Sequence, residues 1–407
     1  MSLHVIFAAP FFMDATLRFI GGATQLDGVD LTLVSQDPES KLPAEIRRRL
    51  AGHWRVDNAL DPQQLVDAAK NLSKRFGKPH RYIAALEQLQ VPLAAARETL
   101  GVPGLSLEAA KSFRDKARMK TVLSAADVPC ARHALAGSVD EARAFADKAG
   151  FPLVVKPPAG AGAKSTFRLD DVNELATFLD RYPLHPDRPT LFEEFVHGTE
   201  YSFDSVMLGG ELVWHSISRY LPSPLEVLEN SWIQWCVMLP RDIGGAEFDP
   251  IRDAARRGLA TLGLETGLSH MEWFRLRDGR IAISEVGARP PGAQITSLLS
   301  YAHDIDFYRA WPRLMVFEAF DPPPRRYAAG AAYIRGQGAG RVRRIRGLGE
   351  AQRRHGDLVV EAKLPQEGQA PSDSYEGDGY VIVRHPETAV VERALKDIVS
   401  LIRVELE

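Results

Sequence analysis

Through the first hundred residues, short continuous apolar runs alternate with longer stretches whose apolar positions recur at helical spacing. "HVIFAA" and "VDLTLVSQ" have strand length, whereas "DPQQLVDAAKNLSKRFG" and "RYIAALEQLQVPLAAARETLG" have the helical pattern. This alternation predicts a parallel α/β sheet with helices on its faces. From Leu105, "LEAAKSFRDKARMKTVLSAAD" predicts one helix, and capping boxes at Ser138–Glu141 and Asp171–Glu174 open two more. "STFRL", "TLFEEFV" and "EYSFDSVMLGGELVWHSISRY" are strands, the last a hairpin turning at Gly209-Gly210. After Phe320 the Pro-rich "DPPPRR" marks a boundary, followed by short Gly-separated strands and a helix, "ETAVVERALKDIVSLI". The expected organisation is an N-terminal α/β domain, 1–104, a middle α+β domain, 105–320, and a C-terminal β-rich α+β domain, 321–407.

Composition narrows the class. The 407 residues are 45% hydrophobic and 25% charged, with a formal net charge of −3. That balance argues against a nucleic-acid partner, which would call for an excess of Lys and Arg. Two cysteines, Cys130 and Cys236, make neither a disulfide framework nor a Cys-based zinc site and fit a reducing compartment. The apolar N-terminus carries Asp14 and Arg18 and lacks a basic leader region, so a buried first strand is expected rather than a signal peptide. No run reaches the roughly 18 apolar residues that span a bilayer. A cytoplasmic protein with small-molecule partners and no membrane partner is expected.

The candidate chemistry begins at "VVKPPAGAGAKST", Val154 to Thr166. A Walker A loop ending at Lys164 needs Gly at 158 and 163, where this chain has Pro158 and Ala163. The segment after Lys164 also reads as a strand, not as the helix that would face a phosphate. What remains is a strand ending in Lys156, a loop whose Gly160 and Gly162 let backbone amides turn toward an anion, and a returning strand. An ordinary hairpin with a solvent-facing lysine is the competing reading.

A second segment, "SHMEWFRLRDGRIAISEVGARPPGAQI", places a hairpin turn at Asp278-Gly279. A two-residue loop pairs Arg277 with Arg280, and stepping outward sets Glu272 opposite Glu285. Alternation puts both on one face with Phe274, Leu276, Ile281 and Ile283. Opposed carboxylates repel, and more strongly where water screens them less. A bridging divalent cation resolves the conflict, and Mg²⁺ characteristically takes one or two carboxylates plus substrate phosphates. A longer loop with both glutamates in solvent, or a general acid/base pair, are the alternatives. In "LFEEFVHGTEYSFD", Glu193 and Glu194 end a strand and Glu200 opens the next, where backbone groups and carboxylates can meet an adenine and a ribose.

Taken in order, these segments resemble the ATP-grasp superfamily over roughly Leu105 to Phe320. The chain is most similar to carboxylate–amine ligases of the L-amino acid ligase type, with biotin carboxylase-like architecture. The resemblance implies an N-terminal pre-ATP-grasp α/β domain, a two-subdomain core that grips ATP, and the C-terminal β-rich domain. It implies that Lys116 and Lys156 bind phosphate and that the loop with Gly160, Gly162, Lys164 and Ser165 closes over it. Glu193 then meets the adenine amino group, the backbone of Glu194, Phe195 and Val196 runs along the adenine edge, and Glu200 takes the ribose. Glu272 and Glu285 become the Mg²⁺ ligands, with Mn²⁺ as a substitute, and Arg289 steadies the transferring phosphoryl group. Many relatives carry Glu-x-Asn where this chain has Gly287, which puts a second metal ion in question.

The implied reaction phosphorylates a carboxylate with ATP and lets an amine displace phosphate, with Lys156 and Arg289 as its catalytic charges. Glu226 and Trp232, with Trp235 nearby, lie where relatives vary with substrate, and Arg289 also faces the substrate. His197, His215 and His270 are expected to be structural or substrate-facing. A homodimer is left open. The competing functions are a biotin carboxylase-like enzyme, a purine-biosynthesis ATP-grasp ligase, and a nucleotide-binding module without turnover. The intact Lys, Glu and Arg set argues against the last.

Overall fold

The computed structural model describes residues 2–159, 166–222, 226–227, 234–372 and 376–407. The N-terminal strands Leu3–Ala8, Val29–Ser35, Gly52–Arg55 and Arg81–Ile83 form a parallel sheet with Leu3–Ala8 inside it. Val5, Ile6 and Phe7 are all fully buried, because helices cover both faces; hence the unbroken apolar run. The helix expected from Arg81 is corrected here. Arg81–Ile83 is the fourth strand, and the helix begins only at Gln90 (Gln90–Leu100). A short apolar run buried on both faces has no period to tell strand from helix.

The single helix expected from Leu105 is also two. Leu107–Arg114 ends and Lys116–Ala125 begins at Asp115, whose carboxylate accepts from the Ala117 and Arg118 amides at 2.9 and 3.0 Å. Both capping-box helices are present, Val139–Ala149 and Val172–Arg181. They cover a four-stranded antiparallel sheet ordered His133–Ala136, Thr190–Glu194, Leu153–Lys156, Phe167–Leu169.

The third layer is an antiparallel sheet of eight strands, in the order Ile281–Gly287, Gly267–Leu276, Gly198–Leu208, Glu211–Leu221, Trp235–Leu239, Ala328–Ile334, Gly379–His385, Val359–Lys363. The Pro-rich stretch after Phe320 thus lies between strands of one continuous sheet. Gly209 and Gly210 turn the expected hairpin with φ of 59° and 86°. One face of the sheet buries Tyr201, Phe203, Met271 and Trp273 against the helix Asp249–Thr261. On the opposite face, Val206, Leu268 and Tyr333 share a core with the helices Ile295–His303 and Phe307–Phe317 and with Val5, Phe7 and Phe19 of the N-terminal layer. This shared core fixes the N-terminal layer against the central sheet.

The Gly21-Gly22 pair has a packing role. The helix Asp14–Ala23 crosses Phe307–Phe317, and a Cβ on Gly22 would lie 2.2 Å from the Tyr308 carbonyl oxygen. Because that neighbour is backbone, neither side yields easily. Gly22→Ala is expected to destabilise the chain by about 1–3 kcal/mol, measured by urea unfolding; Gly21→Ala, which meets only Ile46 at 3.8 Å, should not.

Candidate active site

Glu272 pairs with Glu285 as the sequence implies, but by a different route. The Leu276 amide donates to the Arg280 carbonyl at 2.9 Å, so the loop holds three residues, Arg277 to Gly279, with Gly279 at φ 84°. That offset would have slipped the register. A bulge restores it: Trp273 pairs with Ile283 while Glu272 pairs with Glu285, leaving Ser284 as the extra residue. The bulge also reverses part of the expected face. Phe274 and Leu276 stay with the glutamates, but Ile281 and Ile283 lie on the other face, buried with Trp273.

Cations surround the pair. Lys116 Nζ lies 2.8 Å from Glu285 Oε1, and the Lys116 amide donates to the Pro158 carbonyl at 2.8 Å, tying the helix start to the end of the "VVKPP" strand. His270, two residues before Glu272 on the same face, contacts Asp204 at 2.7 Å through Nδ1 and approaches Glu272 at 3.8 Å through Nε2. Burial opposes a charge on His270, but fully buried Asp204 outweighs it and raises the imidazole to about 9. Glu272 is held below the usual carboxylate range; burial opposes this, and His270 supplies most of the opposite effect. Glu200, paired with Phe274, is pushed well above that range by burial and then by the charge of Glu272.

Above this face, Glu193 sits between two lysines, Lys156 at 3.0 Å and Lys120 at 3.4 Å. Burial opposes the ionised forms of both Glu193 and Lys156. Mutual attraction prevails, lowering the Glu193 carboxyl and raising the Lys156 ammonium from their usual ranges. Lys120 is fully buried and burial lowers it. Neither Lys120 Nζ nor Glu193 Oε1 has a hydrogen-bond partner among the described residues. The two atoms face each other as an ion pair without hydrogen-bond geometry, so each keeps hydrogen-bonding capacity that a ligand would complete.

The remaining predicted residues are placed as follows. Glu194 turns its side chain away to Arg132, at 2.6 Å. The Glu194 and Phe195 amides donate to the Arg132 and Pro152 carbonyls, whereas the Val196 amide has no partner among the described residues. Arg289 is paired at 3.2 Å with Glu87 of the N-terminal layer, which also holds Arg114 at 2.9 Å. Glu226 is exposed. Trp235 is buried and stacked on Tyr333 at 4.7 Å, so it is a core residue. Gly160, Gly162, Lys164, Ser165 and Trp232 lie outside the described residues. Gly287 pairs with His270, so no side chain extends the carboxylate pair there. Among the described residues no three His, Cys, Asp or Glu side chains converge as a metal cluster. Two opposed carboxylates are a hard oxygen pair of the kind that Mg²⁺ accepts alongside phosphate and water.

The family model described as "Carbamoyl-phosphate synthase L chain, ATP binding domain" matches residues 115–182, the stretch carrying Lys116, Lys120 and Lys156. The crystal structure of L-amino acid ligase from Bacillus licheniformis superposes with a TM-score of 0.79 over 100% of this chain and 99% of its own, at 19% identity. The chain carries the ATP-grasp fold. It is 24% identical over 278 residues to the L-arginine-specific L-amino acid ligase of Bacillus subtilis, covering 66% of each. It is 26% identical over 240 residues to the uncharacterized protein y4rH of Sinorhizobium fredii, covering 58% of this chain. The chain spans 48% of that relative's length. No helix among the described residues is long and apolar enough to cross a membrane.

Lys120 and Glu87 escaped the sequence reading for different reasons. Lys120 follows Lys116 by four positions on one helix, so helical spacing could have placed both on one side. Glu87 and Arg289 are separated by 202 positions, and only the packing of the N-terminal layer joins them. Lys120→Met removes one of the two cations around a buried carboxylate and is expected to cost about 3 kcal/mol in urea unfolding. Equilibrium dialysis with radiolabelled ADP should show weakened binding in the same variant; unchanged stability and ADP affinity would refute this role.

Proposed function

We propose that the chain is an ADP-forming carboxylate–amine ligase acting on an amino acid through an acyl-phosphate. The observation that carries the reading is the opposition of Glu272 and Glu285 on a sheet face flanked by Lys116, Lys156 and Arg289. The open donor and acceptor on Lys120 and Glu193 match a ring nitrogen and the amino group of adenine. The Val196 amide suits the same edge, and the Glu200 carboxyl can share hydrogen bonds with ribose hydroxyls. Phe274 and Leu276 give that face apolar area.

Glu272 and Glu285 would hold Mg²⁺, or Mn²⁺ with the same ligands, and the ion would supply charge to the β- and γ-phosphates. Lys116, at its helix start, and Lys156, at its strand end, neutralise the phosphates from two sides. Arg289, with its fixed planar charge, steadies the phosphoryl group as it passes to a substrate carboxylate. The leaving oxygen departs on ADP, and an amine then attacks the acyl carbon and expels phosphate. No side-chain nucleophile is needed, because positioning and charge neutralisation carry phosphoryl transfer. An amino-acid substrate is supported by the similarity to two L-amino acid ligases.

The test measures ADP release and hydroxamate formation with Mg-ATP, hydroxylamine and a panel of L-amino acids. Amino-acid-dependent release with hydroxamate is expected. Release only with bicarbonate and an aminoimidazole ribonucleotide would favour the purine-biosynthesis alternative, and the absence of ADP release with every carboxylate would refute turnover. Glu285→Gln should lower turnover by about 10²-fold or more with unchanged thermal unfolding, and chelation of divalent cations should abolish it.

A further inference from the structure

The loop after Arg289 has an unfavourable backbone. Ala293 and Gln294 both have positive φ, 49° and 52°, a region that costs a residue with a Cβ about 1 kcal/mol or more. Neighbours hold it there. The Tyr333 hydroxyl donates to the Ala293 carbonyl, and the Ala293 amide donates to Glu376 at 3.3 Å. Ser297 donates to Gln294 Oε1 at 3.0 Å. The loop is therefore fixed as a wall.

That wall closes one side of a cavity of about 410 Å³, within the size range of small-molecule sites. The start of the first helix, with Asp14 and Phe19, forms another side; Tyr308, Lys363, Glu376 and Tyr380 complete it. Asp14 and Lys363 neutralise each other at 2.6 Å. Asp378, also at the wall, accepts from the Gly336 and Ser372 amides at 2.6 Å. Glu376 differs. Among the described residues no cation comes within ion-pair distance, and its oxygens accept only from the Ala293 amide and, at 3.5 Å, from Gln294. Burial pushes its carboxyl above the usual range. An unpaired carboxylate beside aromatic rings, in a cavity large enough for an amino acid, is a receptor for an organic cation.

We propose that this cavity binds a cationic L-amino acid substrate, whose side-chain ammonium or guanidinium meets Glu376. The proposal rests on the ligase reading, because the loop that walls the cavity begins two residues after Arg289. Phe19 and Tyr308, with ring centroids 4.8 Å apart, offer apolar area for the aliphatic stem.

The test is calorimetric titration of L-arginine, L-lysine and L-norleucine into the full chain with Mg²⁺ and a non-hydrolysable ATP analogue, with ADP release measured in parallel on ATP. Arginine and lysine should bind about tenfold or more tighter than norleucine. E376Q keeps an acceptor for the Ala293 amide and should erase most of that preference, leaving norleucine within about twofold. D14N, at an exposed helix start, frees Lys363 and should weaken the cationic ligands alone. A preference unchanged in both variants, or no preference in the native chain, overturns the cavity assignment while leaving the ligase reading to its own ADP-release test. Glu376-dependent binding without ADP release supports the cavity and contradicts the ligase.

Discussion

Two carboxylates facing each other across a sheet are the constraint on which the site depends. Directly opposed residues in an antiparallel pair have Cβ atoms roughly 4.5–5.5 Å apart, and like charges at that distance repel. Glu272 and Glu285 are nonetheless paired, and the bulge at Ser284 restores that pairing after the turn has displaced it. The surroundings supply compensation from three sides: Lys116 on Glu285, His270 beside Glu272, and Arg289 beyond them. Even so, Glu200 is driven toward its neutral form by burial and then by this pair. Carboxylates and cations are thus concentrated at one point of the sheet, and the proposed nucleotide-bound cation would be held there by the carboxylate pair.

The fold delivers these groups from separate layers. Asp115 breaks a helix so that Lys116 opens the next one at the carboxylate pair. The four-stranded sheet brings Lys156 and Glu193 over the same face, and Lys120 meets them from the helix below. Glu87 reaches Arg289 from the N-terminal layer, and Tyr333 and Glu376 hold the loop that follows it. Every layer thus touches the site, and the shared core of Phe7, Leu268, Leu298 and Tyr333 keeps the N-terminal layer and the eight-stranded sheet in their relative placement. The proposed cation-binding cavity lies where the N-terminal layer meets the eight-stranded sheet, which is why no single segment announces it.

The main elements, and the placement of several candidate site residues, were legible from residue patterns. The Ser138–Glu141 capping box, the Asp171 cap, the Gly209-Gly210 hairpin and the strand that follows the lysine-ended loop all follow from local chemistry and are present in the structure. Glu174, however, reaches the Asp170 amide rather than closing a reciprocal box. The Glu272–Glu285 pairing was read correctly from an incomplete premise: a turn one residue longer and a bulge cancel. The same bulge moved Ile281 and Ile283 to the other face, because bulges leave no mark in an alternating pattern. Arg81–Ile83 was unreadable as a strand because burial on both faces erases its period. The Glu87–Arg289 pair and the Tyr333 contact depend on tertiary packing across long separations, for which a single sequence carries no local signal.

The most direct test of the central claim is the number and affinity of Mn²⁺ ions bound in the presence of ADP, followed by electron paramagnetic resonance. The carboxylate pair predicts nucleotide-dependent Mn²⁺ binding by the native chain, weakened about tenfold or more by Glu272→Gln. With Gly287 in place of a further ligand, one tight ion rather than two is expected. Equal binding by the native and Glu272→Gln chains, or tight Mn²⁺ binding that ignores ADP, would contradict the account.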